Sequence, residues 1–123
     1  MPQFSHMSIS EIRQGLDSGE FSVSEIASQA LDNAKEQDLK TDAFLEFCEG
    51  ELPQNSKGLL YGVPTAFKDN MNLLGTHTTC ASKMLESYES TYTATCVQNA
   101  IDAGCISIGK TNMDEFAFGS STE

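Results

Sequence analysis

The stretch Thr93-Ala94-Thr95-Cys96-Val97-Gln98-Asn99-Ala100-Ile101-Asp102-Ala103-Gly104-Cys105-Ile106-Ser107-Ile108 decides the fold class, because its apolar residues change period part-way along. Ala94, Val97, Ala100 and Ile101 recur at helical spacing, which predicts a helix over Thr93–Ala103. Gly104 stands where a helix-ending glycine belongs. Cys105 to Ile108 then alternates as a strand, and upstream Val63–Lys68 is a second apolar strand. Strand, helix and strand in that order imply a crossover and two parallel strands, with room for others between them. The class is α/β. Parallel sheets are buried on both faces, so a finished version needs more strands and covering helices than these residues supply. Between the two strands, Met71 to Ser82 is a Gly- and Thr-rich loop without a clear period.

Working toward the amino terminus, two helix-start signals follow one another. Ser8-Ile9-Ser10-Glu11 has the form of a capping box, and Ile9, Ile12 and Leu16 trace a short helix before Gly19. Ser22-Val23-Ser24-Glu25 repeats the signal, and Val23, Ile26, Ala27, Ala30, Leu31 and Ala34 form one apolar face over three turns. Residues 42–48 read as a strand that supplies part of the cover these helices need, and a polar loop runs from Glu49 to Gly58. The chain thus divides into a helical segment, 1–41, and the start of an α/β sheet, 42–123, within what its 123 residues size as one domain.

Seven Lys and Arg against 18 Asp and Glu leave a net charge of −11, spread over both halves. Such a chain repels phosphate backbones and holds no basic cluster to release counterions, which argues against direct binding of tRNA, other RNA or DNA. Cys48, Cys80, Cys96 and Cys105 form no Cys-x-x-Cys pair, and His77 with Cys80 is a single close pair, short of a four-ligand zinc site; no metal is expected. No apolar run reaches the ~18–20 residues that cross a bilayer, and Met1–Ser10 lacks the basic start and apolar stretch of a signal peptide. The expectation is a soluble cytoplasmic protein with no membrane partner.

Two segments carry candidate chemistry. Gly104-Cys105-Ile106-Ser107-Ile108-Gly109-Lys110-Thr111 matches the phosphate-loop pattern letter for letter. That chemistry needs a strand before the first glycine and free backbone N–H groups between the glycines. Here a helix precedes Gly104 and a strand lies between the glycines, so their N–H groups belong in a ladder, and Asp114 and Glu115 would repel phosphates. Nucleotide binding is therefore not expected of it. The second segment is Leu60-Tyr61-Gly62-Val63-Pro64-Thr65-Ala66-Phe67-Lys68-Asp69-Asn70, where Lys68 ends an apolar strand with no other cation nearby. A Lys removed from water spends part of its time neutral and then serves as a general base. The plainer alternative is a strand-end Lys paired with Asp69 or another acid.

These residues also carry a family resemblance. Gly62-Val63-Pro64, Lys68-Asp69-Asn70, Gly75, Thr78 through Leu85, Ala94-Thr95, Ala103-Gly104 and Ile108 through Ala117 resemble the amidase signature family, most clearly over residues 60–123. Thr-Thr-Cys-Ala-Ser-Lys and Asn-Met-Asp-Glu-Phe-Ala are most similar to the glutaminase branch of that family, which serves the tRNA-dependent amidotransferases. The resemblance implies a mixed, largely parallel sheet, incomplete in this chain, and a hydrolase in which one Ser attacks an amide carbon. A second Ser, held by a cis peptide, relays the proton to a Lys that Lys68 matches. Both serines are expected downstream of the Gly119-Ser120-Ser121-Thr122-Glu123 stretch, so this portion alone is expected to be inactive. Gly119 and Ser120 match a stretch bordering the acyl pocket and are the expected substrate contacts. Phe118, often Met in that branch, bears on the pocket wall.

In the glutaminase branch the resemblance implies free glutamine as substrate. It also implies ammonia delivered to two partners in a heterotrimer, its B and C subunits, where ATP with Mg activates Glu or Asp carried on tRNA. It implies no cofactor in this chain, and contact with tRNA only through the partner. Two alternatives stand beside it: an amidase of small amides without tRNA, and a non-catalytic module docking on partner subunits.

Overall fold

A computed structural model of the chain describes residues 3–49 and 52–119. Three helices and three strands occur in the order α1 (Ile9–Ser18), α2 (Val23–Thr41), β1 (Phe44–Phe47), β2 (Pro64–Lys68), α3 (Thr95–Asp102) and β3 (Ile106–Thr111). Both serine start signals act as caps. Ser8 Oγ accepts from the Glu11 N–H, and Ser22 and Glu25 close a reciprocal capping box. Helix α2 runs past the apolar face to Thr41 and is stopped by Asp42 in the left-handed region at φ 50°. Its last turns carry a single leucine, Leu39, which is exposed.

The sheet has the order β1-β3-β2. Strand β3 pairs parallel with β2 and antiparallel with β1, so the sheet is mixed, and the two crossover strands are direct neighbours. One of its two pairings is parallel and the other antiparallel, as expected for the first part of a mixed sheet. Strand β3 continues through Gly109, Lys110 and Thr111, beyond the alternation that ended at Ile108. Gly104 sits just after α3 at φ +96°, and an added Cβ would stand 2.9 Å from the Tyr61 Cα. Gly109 lies where its antiparallel neighbour β1 approaches closely: a Cβ there would stand 2.5 Å from the Glu46 carbonyl oxygen and 2.8 Å from the Phe44 ring. Both glycines of the phosphate-loop pattern are thus required by packing.

Two apolar clusters flank the sheet. Phe4, Ile12, Phe21, Val23, Ile26 and Ile106 join α1 and α2 to one face; Phe67, Leu73, Val97 and Cys105 join α3 to the other. Consecutive Cys105 and Ile106 serve opposite faces, as strand alternation requires. The register then shifts by one residue between Thr65 and Ala66, whose partners on β3 are Ser107 and Gly109. A one-residue shift flips every later side chain. Lys110 is therefore paired with Phe67 on the α3 side instead of following Ile106 and Ile108.

Open grooves of about 900 and 770 Å³ flank α2, the first reaching Phe4 and Ile12, the second Leu31, Leu73 and Ile106. The outer edges of β1 and β2 have no strand partner among the described residues. The isolated chain is accordingly expected to melt weakly, with a midpoint below the ~45–65 °C of ordinary mesophilic domains. A sharp transition above that range, with strong amide-exchange protection, would contradict this.

Candidate functional site

The site assembles where β2 ends. Lys68, the last residue of β2, is paired with Thr111 and its side chain is exposed, while Asp69 is 1% exposed. Burial of Lys68, the condition considered from its sequence context, is thus not provided by the described residues. Nor does Lys68 pair with Asp69. The cation that Asp69 meets is Lys110, 0% exposed, whose Nζ lies 3.3 Å from Asp69 Oδ1. Lys110 Nζ also donates to the His77 carbonyl oxygen at 3.1 Å and to Thr78 Oγ1 at 3.5 Å. Asp69 Oδ2 accepts from the Thr79 backbone N–H at 3.0 Å and from the Thr79 hydroxyl. A buried charge is tolerated when it is paired and its remaining hydrogen-bond capacity is filled. Both conditions are met here.

The backbone around Lys68 is held on each side. Its carbonyl accepts from the Met71 N–H at 3.0 Å, the Asp69 N–H donates to the Thr111 carbonyl at 3.1 Å, and the Asp69 carbonyl accepts from the Cys80 N–H at 3.3 Å. The Cys80 carbonyl in turn accepts from the Phe116 N–H at 3.0 Å. Cys80, Ala81, Phe116 and Ala117 all have positive φ, between 51° and 62°. Non-glycine residues in this region cost of order 1–3 kcal/mol each and persist where the surroundings dictate them. The hydrogen-bond chain from Asp69 through Cys80 to Phe116 brings the strand end to the 114–119 segment. There Gly119 packs so closely that an added Cβ would stand 2.3 Å from Asp114 Oδ2. Ser120 lies outside the described residues.

His77 belongs to no cluster of three or more His, Cys, Asp or Glu side chains that could hold a metal ion among the described residues. Its Nδ1 is 3.5 Å from Glu46 Oε1 and its backbone N–H donates to Glu46 Oε2 at 2.9 Å, tying the loop to β1. Burial pushes the Cys48 and Cys105 thiols above their usual value; the Glu46 charge adds to this at Cys48, and a Thr65 hydrogen bond partly opposes it at Cys105. Cys96 on α3 is exposed. Since the thiolate is the nucleophile, iodoacetamide at mildly alkaline pH is expected to label Cys96 well before Cys48 or Cys105 in the native protein. Mass spectrometry showing Cys105 modified as fast as Cys96 would sink that expectation.

The family model described as Amidase matches residues 19–123. The chain belongs to the amidase family. It is 43% identical, over 95% of its length, to the A subunit of the glutamyl-tRNA(Gln) amidotransferase of Alkaliphilus metalliredigens. It is 42% identical, again over 95%, to the protein of the same name from Prochlorococcus marinus. Among solved structures, the A subunit of the Thermotoga maritima glutamyl-tRNA(Gln) amidotransferase superposes with a TM-score of 0.86 at 36% identity, covering 98% of the chain. The chain spans 26% of the length of each of these relatives. No helix of the described residues is long and apolar enough to cross a membrane.

The structure brings Lys68 and the 114–119 segment to one region through the hydrogen bonds of residues 69 and 80. What the sequence did not disclose is the Asp69–Lys110 pair beneath them. Its only trace was Lys110 within the phosphate-loop pattern, and the register shift hid the face it serves.

Proposed function

We propose that the chain is the amino-terminal part of the glutaminase subunit of a tRNA-dependent amidotransferase, with Lys68 as the proton acceptor of its amidase site. The observation that carries this is the 43% and 42% identity, across 95% of the chain, to proteins named as the A subunit of that enzyme. The exposure of Lys68 at a strand end whose backbone is fixed supports it, because a group that must meet substrate has to be accessible yet positioned.

In this reading a Ser supplied from outside the 123 residues attacks the glutamine amide carbon. Its proton passes through a second Ser to Lys68 and then to the departing nitrogen, which leaves as ammonia. Water hydrolyses the acyl-enzyme to glutamate. Gly119 and Ser120 border the acyl pocket. Ammonia passes to the B and C partners, where ATP with Mg activates the tRNA-borne acid, converting Glu-tRNA(Gln) to Gln-tRNA(Gln) or Asp-tRNA(Asn) to Asn-tRNA(Asn). The chain itself holds no cofactor and meets tRNA through the partner, consistent with its net charge of −11. Its setting is the cytoplasm.

The test is glutamine-dependent ammonia release and amidation of mischarged tRNA by the full-length protein with its partners. Both are expected there, and neither is expected of the isolated 123 residues. A full-length protein that hydrolyses small amides but not glutamine would move the assignment to another amidase, and ammonia release by the isolated chain would refute the prediction of inactivity.

A further inference from the structure

Resting on the reading of Lys68 as proton acceptor, we infer that Asp69 and Lys110 are positioning residues for it, holding the end of β2 and residues 77–79 in one fixed arrangement. An ion pair as buried as this one carries a large desolvation cost, and apolar residues of similar volume often serve stability equally well. What apolar packing lacks is direction. Among the described residues, every side-chain polar bond of this pair is directed at one place: Lys110 reaches Asp69, His77 and Thr78, and Asp69 reaches Lys110 and Thr79.

The three loop residues so engaged are consecutive, and among the described residues the loop's ladder pairing is the single bridge His77–Glu89. A side-chain anchor therefore does there what a strand ladder does elsewhere. Thr78 Oγ1 also meets Ser90 Oγ at 2.5 Å, so the anchor reaches the far side of the same loop. On the strand side the anchor is covalently next to Lys68. Phe67 and Asp69 are buried, and Lys68 between them is turned out to solvent. A shift of Asp69 would move the Lys68 Cα with it, and misplacement of a reacting group by about 1 Å can cost on the order of 10²-fold in rate.

The test uses the full-length protein in its complex with Asp69→Asn and Lys110→Met combined, which removes both charges at nearly constant volume and leaves neither partner as an unpaired buried ion. Glutaminase kcat is expected to fall by about 10²-fold at unchanged KM, with the complex assembled and its melting point close to that of the parent. A double variant with parental kcat overturns the inference, as does one whose loss only tracks a lowered melting point. Should the double variant not fold, Asp69→Glu keeps both charges and displaces the carboxylate by one methylene. The same kcat loss at unchanged KM is expected from it; parental kcat, or failure to fold, assigns the pair to stability alone and overturns the positioning role. Lys68→Ala run in parallel separates the two readings. If it stays active, the assignment of Lys68 fails; if it is inactive while the double variant is fully active, only the positioning role fails.

Discussion

Lys68→Ala in the full-length protein is expected to lower glutaminase kcat/KM by about 10²–10⁴-fold, the usual worth of a positioned proton acceptor. The melting point should stay close to that of the parent, because the Lys68 side chain is exposed and enters no ion pair among the described residues. Surface substitutions of this kind fall within about 0.5 kcal/mol. The combination matters, since a large kinetic loss at constant stability cannot be ascribed to a damaged fold. Measured by ammonia release and a thermal scan on the same preparation, activity within tenfold of the parent would remove Lys68 from the mechanism. Lys68→Arg sharpens the point: it retains the positive charge but cannot be deprotonated near neutral pH, so it should be as inactive as the alanine variant.

Much of the fold was legible because its signals are local. The two serine caps, the period change at Gly104 and the strand before Lys68 each depend on a few neighbouring residues, and each appears in the structure. What stayed hidden depends on non-local register. Parity along β3 groups Lys110 with Ile106 and Ile108, but the one-residue shift opposite Thr65 and Ala66 turns it to the Phe67 face. No pattern in either strand alone announces that shift. The same omission left Asp69 as the apparent partner of its neighbour Lys68, when strand alternation sends the two side chains to opposite faces. The phosphate-loop pattern shows the converse error. Gly104, Gly109 and Lys110 match it by letter, yet a turn, a close approach of the neighbouring strand and a buried ion pair account for them. Of the site residues, Lys68 rested on its position at the end of an apolar strand as well as on family resemblance, whereas Gly119 and Ser120 rested on resemblance alone.

Lys110→Met is expected to be the most destabilising of the changes considered, by about 3–5 kcal/mol, the range for breaking a buried pair from one side. Methionine fills much the same volume, so the cost does not come from a cavity. It comes from the Asp69 carboxylate, 1% exposed, which would keep its Thr79 bonds but lose its only cation among the described residues. The His77 carbonyl and Thr78 hydroxyl would lose a donor at the same time. Chemical denaturation of the full-length protein should show the loss for Lys110→Met and recover most of it when Asp69→Asn is added, because the second change removes the stranded charge. A Lys110→Met variant as stable as the parent would mean that solvent reaches Asp69, and the anchor beneath Lys68 would lose its physical basis. Lys68→Ala and Lys110→Met thus make a matched pair on adjacent strands, one predicted to cost rate without stability and the other to cost stability outright, the difference following from which lysine faces solvent and which lies beneath the sheet.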